Sequence, residues 1–128
     1  MIDFKRFLMV SMLLFGISVK ANFILLPMYD SSQKNHLKAY GITYWALDKQ
    51  YKASWLLNYC GGSFLLPDAP EIRKECQIRG VSFEPISDAE ANQIFEEIAS
   101  PSQNMETVFL EKAPKVAVYT PKGKQSWD

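Results

Sequence analysis

Residues 22–29, NFILLPMY, and the polar residues Asp30, Ser31 and Ser32 that follow them decide the fold prediction. A short run rich in Ile and Leu indicates a buried strand, and Asp and Ser directly after it are typical of a helix start. A helix is predicted over about residues 33–49, because apolar side chains recur there near a period of 3.6. The positions expected to face a sheet are Leu37, Tyr40, Gly41, Tyr44, Ala46, Leu47 and Tyr51.

The alternation of strands and helices continues along the chain. Residues 53–59, ASWLLNY, predict a second strand that ends at paired glycines, which permit a tight turn. The helix that follows is predicted to end near Gly80, and residues 81–86 predict a third strand. Ser87 and Glu90 form a capping-box pattern, which predicts the start of a further helix. Strands and helices therefore alternate through the middle of the sequence.

The C-terminal third is predicted to hold one more helix and one more strand. Residues 103–112 follow a Ser-Pro-Ser break and read as helical, and residues 115–120, KVAVYT, predict a fourth strand. Strands that alternate with helices indicate an α/β fold with right-handed crossovers. The sequence therefore predicts an open parallel sheet of the Rossmann or flavodoxin-like kind.

The N-terminus has the pattern of a secretion signal. Lys5 and Arg6 precede an apolar stretch over residues 7–19, and Ala21 is a small residue at the expected cleavage site. The stretch is shorter than the roughly 20 residues that a membrane-spanning helix needs, although a membrane anchor is the alternative interpretation. Cleavage would leave a chain that starts at Asn22. The protein is therefore predicted to be exported, in the periplasm or outside the cell, without a stable membrane span.

Three segments follow from these patterns. Residues 1–21 are predicted to be the signal peptide, and residues 22–113 to form an α/β domain. A strand over residues 115–120 lies close to the end of the sequence, with no helix after it to cover it. We therefore expect residues 114–128 to be the start of a second, truncated α/β domain.

Composition excludes several classes of function. Fourteen basic residues balance fourteen acidic ones without long runs of one sign, which disfavours nucleic-acid binding. The 48% of hydrophobic residues suffices for one core. Cys60 and Cys76 either form a disulfide in an oxidising compartment or remain separate thiols. Two thiols and one histidine are too few soft ligands for a closed zinc site, so no metal and no cofactor are predicted.

Two polar segments follow predicted strands and are candidates for a ligand site. Ligands of open α/β sheets usually bind beyond the carboxyl ends of the strands, so these segments are expected to converge on one crevice if the strands are adjacent and parallel. The alternative interpretation is that they are ordinary helix caps and turns. The candidate ligand-binding residues are Asp30, His36, Asn58, Gly61, Gly62 and Ser63.

Several blocks of the sequence also carry a family resemblance. They are residues 33–41 (QKNHLKAYG), 55–59 (WLLNY) with 61–64 (GGSF), 71–80 (EIRKECQIRG), 100–105 (SPSQNM) and 121–125 (PKGKQ). Together they resemble the N-terminal part of a family of longer exported bacterial proteins named asparagine synthetase B. The resemblance covers essentially the whole chain after the signal.

The resemblance implies glutamine-dependent asparagine synthesis and an amidotransferase-like fold after the position of Lys115. Residues 60–65, CGGSFL, share only the glycines of the synthetase's ATP-binding loop, so no catalytic residue carries over. Two hypotheses remain open. The chain is either the front portion of such a protein, with its catalytic groups beyond Asp128, or a non-catalytic envelope domain that binds a small ligand or a protein partner.

Overall fold

The computed structural model describes residues 20–115 and residue 117. Residues 1–19 of the predicted signal peptide and most of the predicted second domain lie outside this part, including all but two residues of KVAVYT. None of the helices in the described part has the length and apolarity that crossing a membrane requires. The elements are β1 (Phe23–Leu26), α1 (His36–Asp48), β2 (Ala53–Leu57), β3 (Ser63–Pro67), α2 (Pro70–Arg79), β4 (Glu84–Ile86), α3 (Asp88–Ala99) and β5 (Glu106–Leu110).

The five strands form one sheet in the order β4-β1-β3-β2-β5, and every neighbouring pair is antiparallel. The predicted parallel sheet of the Rossmann or flavodoxin-like kind is therefore wrong. The turn between β2 and β3 spans only residues 58–62, and a parallel pair needs a crossover of a dozen or more residues. β2 and β3 consequently form a hairpin, and β3 inserts between β1 and β2.

The first six elements follow the order β-α-β-β-α-β of the split, ferredoxin-like motif. α3 and β5 extend this unit by one helix and one strand, and β5 pairs with the outer side of β2. The predicted helix over residues 103–112 is wrong, because Glu106–Leu110 forms β5. The β-branched residues Thr107 and Val108 favour a strand, and pairing with β2 overrides the weak helical pattern.

Both faces of the sheet are buried, which explains the error in fold class. Ile24 and Leu26 contribute to a core under α1 and α2, whereas Leu25 contributes to a second core under α3. A strand buried on both faces reads as a continuous apolar run, the signature usually associated with parallel sheets. The run FILL in β1 therefore indicated the two covering layers correctly but not the strand direction.

The helix boundaries are set by local signals. The predicted capping box of α3 is confirmed, since the Ser87 backbone N–H donates to Glu90 Oε2 at 2.7 Å and the Glu90 N–H donates to Ser87 Oγ at 3.3 Å. α2 has Pro70 in its first turn and ends at Gly80, whose φ of 67° lies in the left-handed region. These two helices cover opposite faces of the sheet.

Candidate functional site

The loops that carry the predicted site residues all lie at one end of the sheet, here called the loop end. β1 finishes at Leu26, which pairs with Phe64 near the start of β3, and Leu25 pairs with Glu84 at the start of β4. Leu57 at the end of β2 pairs with Glu106 at the start of β5. The connections β1–α1, β2–β3, α2–β4 and α3–β5 therefore gather at the same end.

The two candidate segments are in contact through their backbones. The Met28 N–H donates to Cys60 O at 2.9 Å. A β-carbon at Gly61 would lie 2.7 Å from Met28 O, and the φ of Gly61 is 77°, so this position requires glycine. The two loops meet as the crevice prediction requires, although its premise of adjacent parallel strands is wrong because β3 separates β1 from β2.

The polar side chains of the β1–α1 segment bind the loop itself. His36 Nε2 lies 3.1 Å from Met28 O and 3.4 Å from the carboxylate of Asp30. The Asp30 side chain is fully exposed, so this contact is screened by solvent and adds little to stability. His36, in the first turn of α1, thus holds a carbonyl of the loop two residues beyond the end of β1.

The polar side chains of the β2–β3 segment have similar partners. The buried Ser63 hydroxyl donates to Cys60 O at 2.9 Å, and Asn58 Nδ2 donates to Asn104 O at 2.7 Å. Trp55 Nε1 donates to the carbonyl of Gly62 at 3.2 Å. These bonds fasten the hairpin turn to itself and to the α3–β5 loop. Binding of a ligand by the six candidate residues stays a prediction.

Sequence reasoning missed Gln33, which joins the β1–α1 loop to the α2–β4 loop. Gln33 is buried, and its Nε2 donates to Ser82 O at 3.1 Å and to Pro27 O at 3.3 Å, while its Oε1 accepts from the Ser82 N–H at 3.1 Å. Asn35 Nδ2 donates to Gly80 O at 2.9 Å. Polar residues near a helix start are common, so no signal in the sequence singled out Gln33 as a buried bridge.

Both cysteines are free thiols, so the disulfide considered from the sequence is not formed. Burial raises the pKa of Cys76 to about 11 and also raises the pKa of Cys60. Burial, followed by the charges of Cys60 and Glu97, raises the pKa of Tyr59 to about 12. A thiol with a raised pKa carries little thiolate and is a poor nucleophile near neutral pH. Within residues 20–115, no group of three His, Cys, Asp or Glu side chains is placed to hold a metal.

A shallow groove of about 280 Å³ adjoins the hairpin turn on the α3 side of the sheet. Carboxylates line it from both β4 and α3, and Tyr59 is also part of the lining. Three like charges disfavour an anionic ligand there. The lining residues are Leu25, Tyr59, Glu84, Ile86, Glu90, Gln93, Ile94 and Glu97.

The largest departure from the sequence prediction is on α1. Leu37, Tyr40 and Tyr44 were expected to face the sheet, but their side chains are 86%, 46% and 46% exposed. We call these three residues the α1 ridge, since their spacing places them on one side of the helix. The buried residues of α1 are Ala39, Ile42, Thr43, Ala46 and Leu47. The prediction therefore holds for Ala46 and Leu47, and also for Tyr51, which packs half-buried against the same core beyond the end of the helix.

The α1 ridge continues into an aromatic cluster on the sheet. The Tyr40 ring meets the Phe64 ring edge-on, with centroids 5.3 Å apart, and Trp55 stacks on Phe64 at 5.9 Å. Aromatic side chains with a polar tip, such as tyrosine, are enriched where proteins bind one another. The arrangement therefore offers an apolar surface with polar edges, anchored on a buried ring.

No family model, curated protein or solved structure shows significant similarity to this chain. The resemblance to the asparagine synthetase B family therefore stays a prediction, as do export and the signal peptide.

Proposed function

We propose that the described domain is a non-catalytic recognition domain that binds a protein partner through the α1 ridge. The observation that carries this proposal is the exposure of Leu37, Tyr40 and Tyr44 on a helix that already buries a separate set of residues in the core. A helix that is apolar on both sides is expected to be covered on both sides. Exposed large apolar side chains grouped on one helix are typical of an interaction site.

The charges beside the ridge restrict the chemistry of the partner. Lys34 and Lys38 are exposed on either side of Leu37, and the first turn of α1 carries no acidic residue. Complementary potentials favour opposite charges across an interface. The proposed partner therefore presents an apolar groove that receives the ridge, with carboxylates at the end of the groove that meets Leu37.

Photo-crosslinking in the native host tests this function. The photoreactive amino acid benzoylphenylalanine replaces Tyr44 in one variant and the exposed Gln93 of α3, on the other face of the sheet, in a matched control. We expect one discrete protein adduct from position 44 and none from position 93. The adduct protein, identified by mass spectrometry and purified, should bind the wild-type chain and should bind Lys38→Glu more weakly, because the substitution reverses a charge facing its carboxylates. Equal adducts from both positions, or none from position 44, would refute the proposal.

The resemblance supports a second candidate, glutamine-dependent asparagine synthesis by a longer protein of which this chain is the front portion. The five blocks quoted above are the observation that favours it. The measurement is asparagine formation from aspartate, glutamine and ATP by the longest natural form of the protein. Product formation that is lost on truncation at Asp128 would support this candidate, and its absence in the longest form would remove it.

A further inference from the structure

The two edges of the sheet differ in their protection against further pairing. β4 has three residues, and its middle residue is Pro85, which cannot donate a ladder hydrogen bond. β5 has five residues, pairs with β2 in an unbroken register from Glu106 to Leu110, and contains neither proline nor lysine. Short strands, proline, lysine and bulges are the usual means by which proteins block edge pairing. β4 has two of these features, and β5 has none.

The outer side of β5 is also left free by the chain that follows it within the described part. Ala113 packs against the core beside the end of α1, where Glu111 and Lys112 line a groove together with Leu47. The chain thus turns toward α1 after Leu110 instead of folding back along the strand.

Apolar surface extends from this edge onto the sheet. The Phe109 side chain is 71% exposed on the α3 side, where its ring centroid lies 6.4 Å from that of Phe95. Phe109 also forms one wall of a groove of about 220 Å³, together with Phe23, Leu65 and Pro67. An exposed strand edge with an adjoining apolar pocket is the arrangement used for adding a strand to a sheet.

We infer that β5 pairs antiparallel with β5 of a second copy of this chain and joins two sheets into one of ten strands. The register that pairs all five residues places Val108 opposite Val108 across the two-fold axis. Thr107 then lies opposite Phe109, and Glu106 lies opposite Leu110, in both halves of the interface.

The charges of β5 favour a second copy of this chain as the partner that pairs with its free edge. Glu106 is the only ionisable residue in the strand, and in this register it faces an aliphatic side chain instead of a second carboxylate. Each half also gains an aromatic side chain opposite a β-branched one, a favourable cross-strand pair, and no like charges are opposed. The strand is therefore complementary to itself. The edge surface is distinct from the α1 ridge, so this inference does not depend on the proposed function.

A charge-swap experiment at the symmetry centre tests the register. Val108→Lys and Val108→Glu each place two like charges directly opposite one another, whereas an equimolar mixture places opposite charges there. The mass of the protein is measured by sedimentation velocity over a range of concentrations. We expect a dimer for the wild type, weakening of the dimer by about tenfold or more for each variant alone, and recovery of the dimer in the mixture. Glu84→Lys on the other edge is the control and should remain dimeric.

Hydrogen exchange of the unsubstituted protein supplies a second measurement that does not depend on how well the variants fold. Amides of β5 should exchange more slowly as the concentration rises through the dimerisation range, and amides of β4 should not change. A wild-type monomer at every soluble concentration would overturn the inference. So would variants that dimerise as well as the wild type, or a mixture that stays monomeric, since the strand would then meet another occupant or none.

Discussion

α1 and α3 cover opposite faces of the same sheet, and they differ in what they present on the outside. α3 buries Ala91, Ile94 and Ile98 and exposes Glu96 and Glu97, so it has one apolar side and one charged side. α1 is buried to a similar extent but exposes the α1 ridge. The buried apolar residues of α3 stabilise the fold. The exposed apolar residues of the α1 ridge do not, so they need another explanation.

The inward sides of the two helices should be equally important for stability. Ile42→Ala in α1 and Ile94→Ala in α3 each remove three buried carbon atoms and leave a cavity, so each should lower the free energy of unfolding by about 2–5 kcal/mol. Ile42 is completely buried and Ile94 nearly so, and we expect the larger loss for Ile42. Urea unfolding followed by circular dichroism measures both. A loss below about 1 kcal/mol at either position would mean that the corresponding layer is not part of the cooperative core.

The two layers should also differ in their response to alkaline pH. The pKa of Cys76, a residue of α2 buried in the core that α1 and α2 cover, is raised by burial from 9.0 to about 11, so the neutral thiol is favoured in the folded state. Its contribution is fully present below pH 9 and is lost as the pH rises through 11. The loss should amount to about 2–3 kcal/mol, since each pKa unit corresponds to about 1.4 kcal/mol.

Cys76→Ala isolates this contribution. The variant should be less stable at neutral pH, because a buried sulfur atom is removed, but the difference from the wild type should shrink between pH 9 and 11. Tyr59, on the α3 side, has a pKa that is raised to about 12. Its contribution to stability is therefore lost only at higher pH, and equally in the wild type and in Cys76→Ala. A constant difference across this range would show that Cys76 does not titrate with a raised pKa.

The loop end joins the two layers, and Asn58 is the residue that tests this junction. Its φ is 61°, and its side chain donates to Asn104 O in the α3–β5 loop. Asn58→Gly keeps the backbone conformation and loses the hydrogen bond, which should cost about 1 kcal/mol. Asn58→Ala keeps a β-carbon in the left-handed region but loses the short polar side chain that lets asparagine tolerate this conformation, which should raise the total to about 2 kcal/mol.

Thermal unfolding of the two variants separates the bond from the backbone effect. If Gly and Ala cost the same, the backbone conformation contributes nothing, and if neither changes stability, Asn58 does not fasten the turn. In that second case its amide is available to a ligand, and the crevice predicted from the sequence would gain support.

The sequence predicted local features better than their arrangement. Two local predictions are confirmed, namely the capping box at Ser87 and Glu90 and the end of α2 at Gly80. Both depend only on residues that are close in sequence. Strand direction depends on which strands become neighbours. The five-residue turn over 58–62 was the available signal for a hairpin, but the buried character of β1 suggested a parallel sheet instead.

Of the candidate site, only the contact between its two loops was predictable from the sequence. Contact between the loops was expected and is present, because Met28 donates to Cys60 O. The partners of the polar side chains were not predictable, since His36 and Asn58 bind backbone carbonyls that carry no side-chain signal. The α1 ridge was assigned to the wrong side because every turn of α1 is apolar, so periodicity alone does not determine which side is buried.

The smallest expected effect on stability is on the ridge itself, and it sharpens the comparison between the helices. Leu37 is 86% exposed, so Leu37→Ser forfeits almost no burial and should lower the free energy of unfolding by about 0.5 kcal/mol or less, mostly through helix propensity. Gln93→Ser at an exposed position of α3 is the matched control and should cost a similar amount. The two variants should diverge only in binding, because Leu37→Ser removes the ridge residue between Lys34 and Lys38, whereas Gln93→Ser lies on the opposite side of the sheet. If Leu37→Ser unfolds the protein as readily as Ile42→Ala does, the ridge is covered by the chain's own residues, and α1 differs from α3 only in how it is buried.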